Sequence, residues 1–282
     1  MSVLDAVNRI FGSLAKERSP DRPEKYLFII CMNNSGSTLL ERVLSECGNA
    51  VGFPAPAGPD QQVNGQGFVP HFMPMPGKMT PKCRRIWSEQ SAVLANELHY
   101  QWPKVKRRWH EEWAKNPKFE TANPRIFLEK SPPNIFRAAM LQKHFPDSFF
   151  ILMQRNPYAV SEGIRRRGKI SLDRCIRHWV RCARQQIQNE QSLRRAISLN
   201  YEELSAHPEI CRQRIVAFMP ELSDLDIGKD VEVHSVEGRV RQPIVNYNDK
   251  QIALLSAEDI AIINTELKGV PELMAHFGYG YI

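Results

Sequence analysis

The sequence predicts an α/β fold, a P-loop-like central parallel β-sheet flanked by helices. Three observations carry this. Apolar runs of strand length ("YLFIICM", "RIFLE", "SFFILMQ", "AISLN") alternate with amphipathic stretches of helical period, as expected of strands buried on both faces and joined by crossover helices. The first run passes through a small polar loop, "NNSGST", straight into a helix, which is the layout of an anion-binding turn. Polar residues, namely Asn34, Lys130, Arg155 and Tyr201, stand at or just past the strand ends, where open parallel sheets bind their ligands.

Taken in order, residues 1–24 read as a short amphipathic helix and a connector, and residues 25–282 as one domain. The first segment is too polar for the apolar core of a secretory signal. No run of 18 apolar residues offers a membrane span, so a cytoplasmic protein is expected. The helix at 37–47 lines up Leu39, Leu40, Val43 and Leu44 on one stripe. Residues 52–82 carry seven Pro and five Gly, which excludes regular structure. Phe53, Phe68, Phe72, Met73 and Met75 within it favour a binding loop over a free linker. Residues 84–116 read as two helices broken near Pro103, and 52–120 as the side that receives an acceptor. Trp87, Tyr100, Trp102, Trp109 and Trp113 there suit either a stacking surface or a core.

A short strand then ends at Lys130. A helix over 134–146 turns Ile135, Met140, Leu141 and Phe145 inward. A second buried strand ends at Arg155. A long helix over 171–191 puts Leu172, Cys175, Ile176, Trp179, Val180, Ala183 and Ile187 on one face. A strand closes at Tyr201, and helices follow over 208–219 and 257–278.

Composition narrows the chemistry. Hydrophobic residues make up 42% and charged ones 24%, with a net charge of +7, so an anionic partner is expected. Nucleic acid ranks last, because no recognition motif is present. Six scattered cysteines, with no CxxC pair and no zinc spacing, read as reduced thiols and give no metal site.

The loop itself offers backbone N–H groups at a helix N-terminus, a glycine at Gly36 for close approach, and hydroxyls at Ser35, Ser37 and Thr38. It is not a Walker A loop, since no Lys follows Gly36. Lys130 at a strand end would face the same crevice. Arg155, followed by Ser161 and then Arg165, Arg166 and Arg167, suits a phosphate monoester through the guanidinium fork.

Together "NNSGSTLLERVL", "EKSP", "RNPYAVSEGIRRR", "NYEEL", "QPIVNYNDKQ" and "HFGYGY" resemble the sulfotransferases that use 3′-phosphoadenosine 5′-phosphosulfate. They are most similar to the branch holding the protein-tyrosine sulfotransferases and many bacterial relatives. The resemblance spans about residues 25–282 and implies the sulfotransferase fold, with that nucleotide as co-substrate and no metal. It implies that Asn34, Ser35, Gly36, Ser37, Thr38 and Leu39 hold the 5′-phosphosulfate, and that Arg155, with Ser161 or Gly163, grips the 3′-phosphate. It further implies that Arg167 and Tyr201 contact the donor and that Lys130 stabilises the transferring group. Residues 239–250, with Arg239, Arg241, Asn246 and Lys250, would form a mobile loop over the 3′-phosphate.

The chain departs from the family pattern in three respects. Asn34 stands where the family has a basic residue. Gly163 stands where the branch has its phosphate-binding serine. Pro54 and Ala55 stand where the branch has its glutamate base. Arg42 is an alternative cation by position only. His71 and Asp60 are the base candidates, since a base must reach the acceptor hydroxyl and a histidine has a suitable pKa. Strand alternation should turn Glu129 away from the crevice. The expected acceptor is a carbohydrate or small-molecule hydroxyl, with peptidyl tyrosine and a homodimer left open. A small-metabolite kinase and a non-catalytic nucleotide-binding protein of the same fold are the competing readings.

Overall fold

The computed structural model describes residues 24–53, 102–122, 124–235 and 238–282. Its sheet has five strands in the order β2-β3-β1-β4-β5: β1 (Lys25–Cys31), β2 (Ala50–Val51), β3 (Ile126–Glu129), β4 (Ser148–Gln154) and β5 (Ala196–Asn200). All neighbours pair in parallel. Tyr26 of β1 lies beside Phe127 on one side and Ser148 on the other. The chain leaves β1 towards β2, then crosses back from β3 over β1 to β4. Winding therefore reverses at β1, and the crevice beyond its carboxyl end is where such sheets bind ligands.

Period-2 alternation along β1 feeds two apolar layers. Tyr26, Phe28 and Ile30 join an aromatic layer with Trp109, Phe127, Phe145 and Phe150. Leu27, Ile29 and Cys31 join an aliphatic layer with Leu40, Val43, Leu44 and Ile215. Each such side chain, fully buried, contributes about 1.5–3 kcal/mol. That holds the central strand, and the loop it launches, in one register.

Eleven α-helices are described: α1 (Ser37–Glu46), α2 (Trp102–Trp113), α3 (Lys118–Ala122), α4 (Ala138–His144), α5 (Pro157–Gly168), α6 (Leu172–Ser192), α7 (Tyr201–Ala206), α8 (Pro208–Phe218), α9 (Asn248–Ile252), α10 (Ala257–Lys268) and α11 (Pro271–Phe277). An antiparallel hairpin, β6 (Val231–Ser235) and β7 (Gly238–Gln242), stands apart from the main sheet. Among the described residues no helix is long and apolar enough to cross a membrane.

Several elements differ from expectation for local reasons. Of the two helices expected over 84–116, the second starts at Trp102, with Pro103 in the first turn of α2, where its missing N–H costs nothing; residues 84–101 lie outside the described residues. Pro132 and Pro133 seat a 3₁₀ turn at Pro132–Phe136, so the helix expected over 134–146 begins only at Ala138. The helix expected over 257–278 divides at Gly269, because Pro271 can open α11 but cannot continue α10. Tyr201 does not close β5. Asn200 ends the strand, and its side-chain oxygen accepts from the Glu203 N–H at 2.6 Å to cap α7. Residues 239–250 are not one loop, since they run from a strand into a helix. The alternation in "VEVHS" and "GRVRQ" is what pairs as the hairpin.

The long helix α6 buries Leu172, Cys175, Ile176, Trp179 and Ala183 as expected, while Val180 and Ile187 are only partly covered and Cys182 and Gln186 go inward. Trp102, Trp109 and Trp113 are core residues, and the Trp113 indole N–H donates to the Leu128 carbonyl at 3.0 Å. Trp87 and Tyr100 lie outside the described residues.

Candidate functional site

The loop after β1 is built from two left-handed residues, Asn34 (φ 61°) and Gly36 (φ 83°). Asn is the side chain that tolerates this conformation best after Gly. That gives a structural reason for an asparagine where charge was expected. Gly36 is the N-cap of α1, with no side chain capping it. The Leu39 N–H donates to the Gly36 carbonyl at 2.9 Å, and among the described residues the Ser37 and Thr38 N–H groups are left to an outside acceptor. A Cβ at Gly36 would lie 2.4 Å from the Tyr201 ring, so both φ and space demand glycine. The Ser35 hydroxyl is buried and donates to the Met32 carbonyl at 2.9 Å, which fixes the turn from inside. Ser37 is buried at the start of α1.

Two cations reach this loop from opposite sides. Lys130, one residue past β3, is only 2% exposed, and its ammonium donates to Thr38 Oγ1 at 3.1 Å. Glu129 beside it is fully buried and turned elsewhere, accepting from the Ser131 hydroxyl and the Asn134 amide. Those bonds shape the turn that delivers Lys130.

Arg155, one residue past β4, is 6% exposed. Its Nη1 donates to the Asn34 carbonyl at 2.9 Å, its Nε to Asn248 Oδ1 at 2.8 Å, and its Nη2 to Gln251 Oε1. The guanidinium lies 4.0 Å from the centre of the Tyr201 ring. Every one of these acceptors is neutral. Glu202, the nearby carboxylate, accepts instead from the Asn156 N–H, the Asn248 amide and the Tyr279 hydroxyl. Burial pushes the Arg155 pKa down, Tyr201 and Glu202 oppose it, and the charge of Arg167 adds to the downward push. Among the described residues, the arrangement is a buried positive charge with no carboxylate bonded to it, set beside a helix N-terminus with no side-chain cap.

The remaining sequence candidates fall as follows. Ser161 is fully buried, and its hydroxyl has no hydrogen-bond partner among the described residues. Gly163 faces the side chains of Asn34 and Gln251, and a Cβ there would meet them at 3.2 and 3.0 Å. The Tyr201 hydroxyl donates to the Val245 carbonyl at 2.7 Å and accepts from the Tyr247 N–H, tying the 243–247 segment to the loop. Asn246 is exposed and accepts from the Asn248 N–H. Lys250 is exposed over the Tyr247 ring, and Arg241 is exposed on β7. Arg239 lies on β7, with its side chain outside the described residues. Arg42 does not supply the loop, because it bonds the Glu232 carbonyl and carboxylate on the hairpin. His71, Asp60, Pro54 and Ala55 lie outside the described residues.

Sequence reasoning missed Asn248, Gln251 and Glu41. The first two appear only once α9 folds back over Arg155. Glu41 did leave a signal: with Ser37, Leu40 and Leu44 it occupies the buried stripe of α1, where a carboxylate is out of place.

Comparison with known proteins agrees with this geometry. Residues 27–222 match the model described as the sulfotransferase family. The match covers more than half of the chain, and the protein belongs to that family. Among solved structures it is similar to the sulfotransferase domain from the curacin biosynthetic pathway, at 16% identity and a TM-score of 0.51, over 93% of this chain and 100% of that one. It is also similar to the sulfotransferase domain from the Synechococcus PCC 7002 olefin synthase, at 18% identity and a TM-score of 0.50, over 89% and 98% of the two chains. At such identities these likenesses show the fold. No curated protein sequence matches.

Proposed function

We propose that the protein transfers a sulfuryl group from 3′-phosphoadenosine 5′-phosphosulfate to a hydroxyl acceptor by in-line displacement. The observation that carries this reading is the bracketing of one loop by two buried cations, Lys130 bonded to Thr38 and Arg155 to Asn34. Sulfuryl transfer, like phosphoryl transfer, moves negative charge onto a leaving phosphate oxygen, and the protein mainly positions the reactants and offsets that charge. The α1 N-terminus and Lys130 would hold the phosphosulfate end. Arg155 and Arg167 would meet the 3′-phosphate, and residues 52–120 would lie on the acceptor side. Carbohydrate or small-molecule hydroxyls remain the favoured acceptors.

The test is thermal. Adenosine 3′,5′-bisphosphate should raise Tm by several degrees at saturating concentration, as ligand linkage requires, while ATP should do little. Equal stabilisation by ATP would sink the reading, because the 3′-phosphate would then contribute nothing.

A further inference from the structure

A carboxylate buried in an apolar stripe needs an explanation. Glu41 is 7% exposed. It sits one turn after Thr38, the residue to which Lys130 donates. The Ser45 hydroxyl donates to its Oε1 at 3.2 Å. Gly52, just past β2, lets that oxygen come close: a Cβ there would lie 3.1 Å from it. With those two residues, and with Phe53 and Asn116, Glu41 lines a cavity of about 270 Å³. Glu41 thus borders the cavity, one turn along α1 from the hydroxyl that Lys130 bonds.

We propose that Glu41 is the general base that takes the proton of the acceptor hydroxyl in this cavity, an assignment that rests on the sulfotransferase reading above. The acceptor O–H bond breaks towards a Glu41 oxygen as the acceptor oxygen bonds to sulfur. The bond from sulfur to the 5′-phosphate oxygen breaks with its electron pair, and Lys130 faces the charge that appears there. The proton then leaves Glu41 for solvent.

The electrostatics suit this role. Burial pushes the Glu41 carboxyl above its ordinary value, while Lys130, the Ser45 bond and Arg42 pull it back, in that order. The other charged groups around the cavity are Glu46 on α1 and Asp230, Glu232 and Arg241 at the hairpin. Lys118, from α3, caps the end of α1 through the Ser45 and Cys47 carbonyls. A base with a pKa raised towards the working pH is better matched to the transfer.

The sign of the pH effect follows. The fold holds the Glu41 proton to a higher pH than the unfolded chain does. Stability contributed by the protonated form is therefore lost as pH rises from the ordinary carboxylate value through the raised one. Glu41→Gln, a neutral isostere, should match the wild-type Tm at pH 4 and equal or exceed it at pH 8. An ion-pair partner kept only to anchor Lys130 would give the opposite result, a lower Tm at pH 8.

The experiment compares wild type and Glu41→Gln in three readouts: Tm against pH, stabilisation by adenosine 3′,5′-bisphosphate, and consumption of labelled donor. Consumption is followed with a panel of phenols and sugars and with water alone as acceptor. The expected result is equal stabilisation by the bisphosphate, no Tm loss at pH 8, and donor consumption at least about a hundredfold lower in the variant, with the rising limb of the wild-type pH profile gone. A lower Tm at pH 8 overturns the assignment, as does equal donor consumption at any level in two proteins that both bind the bisphosphate. Absence of stabilisation in the wild type overturns the donor reading itself.

Discussion

Lys130 and Arg155 occupy equivalent places, one residue beyond the two strands that flank β1, yet the fold treats them differently. Arg155 is fixed on three sides by neutral oxygens and on a fourth by an aromatic face. Such a fork is pre-shaped, and an anion would add to an existing frame. Among the described residues Lys130 makes one side-chain bond, to a hydroxyl, and its stem ends in a compact charge that can follow a moving group. The difference suits a division between a rigid clamp on the unreactive end of a ligand and an adjustable cation at the end where charge shifts.

The sharpest break of that division is at Lys130. Lys130→Ala should lower turnover by about a hundredfold or more, on the order of 3 kcal/mol of transition-state stabilisation. Binding of adenosine 3′,5′-bisphosphate should change little. Steady-state kinetics beside calorimetry decides it, and a large loss of nucleotide affinity with turnover retained would reverse the two roles. Arg155→Lys comes next. Losing the fork should weaken bisphosphate binding about tenfold or more, at about 1.5–3 kcal/mol for a charge-assisted contact, read by calorimetry. The smallest effect is at Asn34. A lysine there must adopt the left-handed backbone at roughly 1 kcal/mol. Asn34→Lys should therefore lower Tm by a few degrees without raising turnover, whereas Asn34→Gly should leave Tm nearly unchanged. A several-fold gain in turnover with Asn34→Lys would show that the loop is short of charge and that the two flanking cations do not suffice.

The sheet was legible because a parallel strand buried on both faces needs an unbroken apolar run, and the runs ending near Cys31, Glu129, Gln154 and Asn200 have no other reading. The family resemblance was legible for a related cause: the polar residues at those strand ends are free of core packing. What stayed hidden depends on long-range contact. Nothing in "DKQIA" announces that Gln251 will meet Arg155 across 96 positions. The hairpin at 231–242 was passed over because its alternating charges resemble a solvated loop as much as a strand. Glu41 stands in plain view on an apolar stripe, whereas His71 and Asp60, the residue types that first suggest a base, stand in the Pro-rich stretch.

The frame around Arg155 is drawn from residues 34, 201, 248 and 251, and through Glu202 it extends to Tyr279. During vectorial synthesis the loop and both flanking strands leave the ribosome long before α9 and Tyr279 do. The strands can pair early, but the clamp acquires its last walls only when residue 279 is out. Until then a bare guanidinium waits beside an uncapped helix end. Ligand affinity is thus a property the nascent protein gains late, well after its central sheet can form.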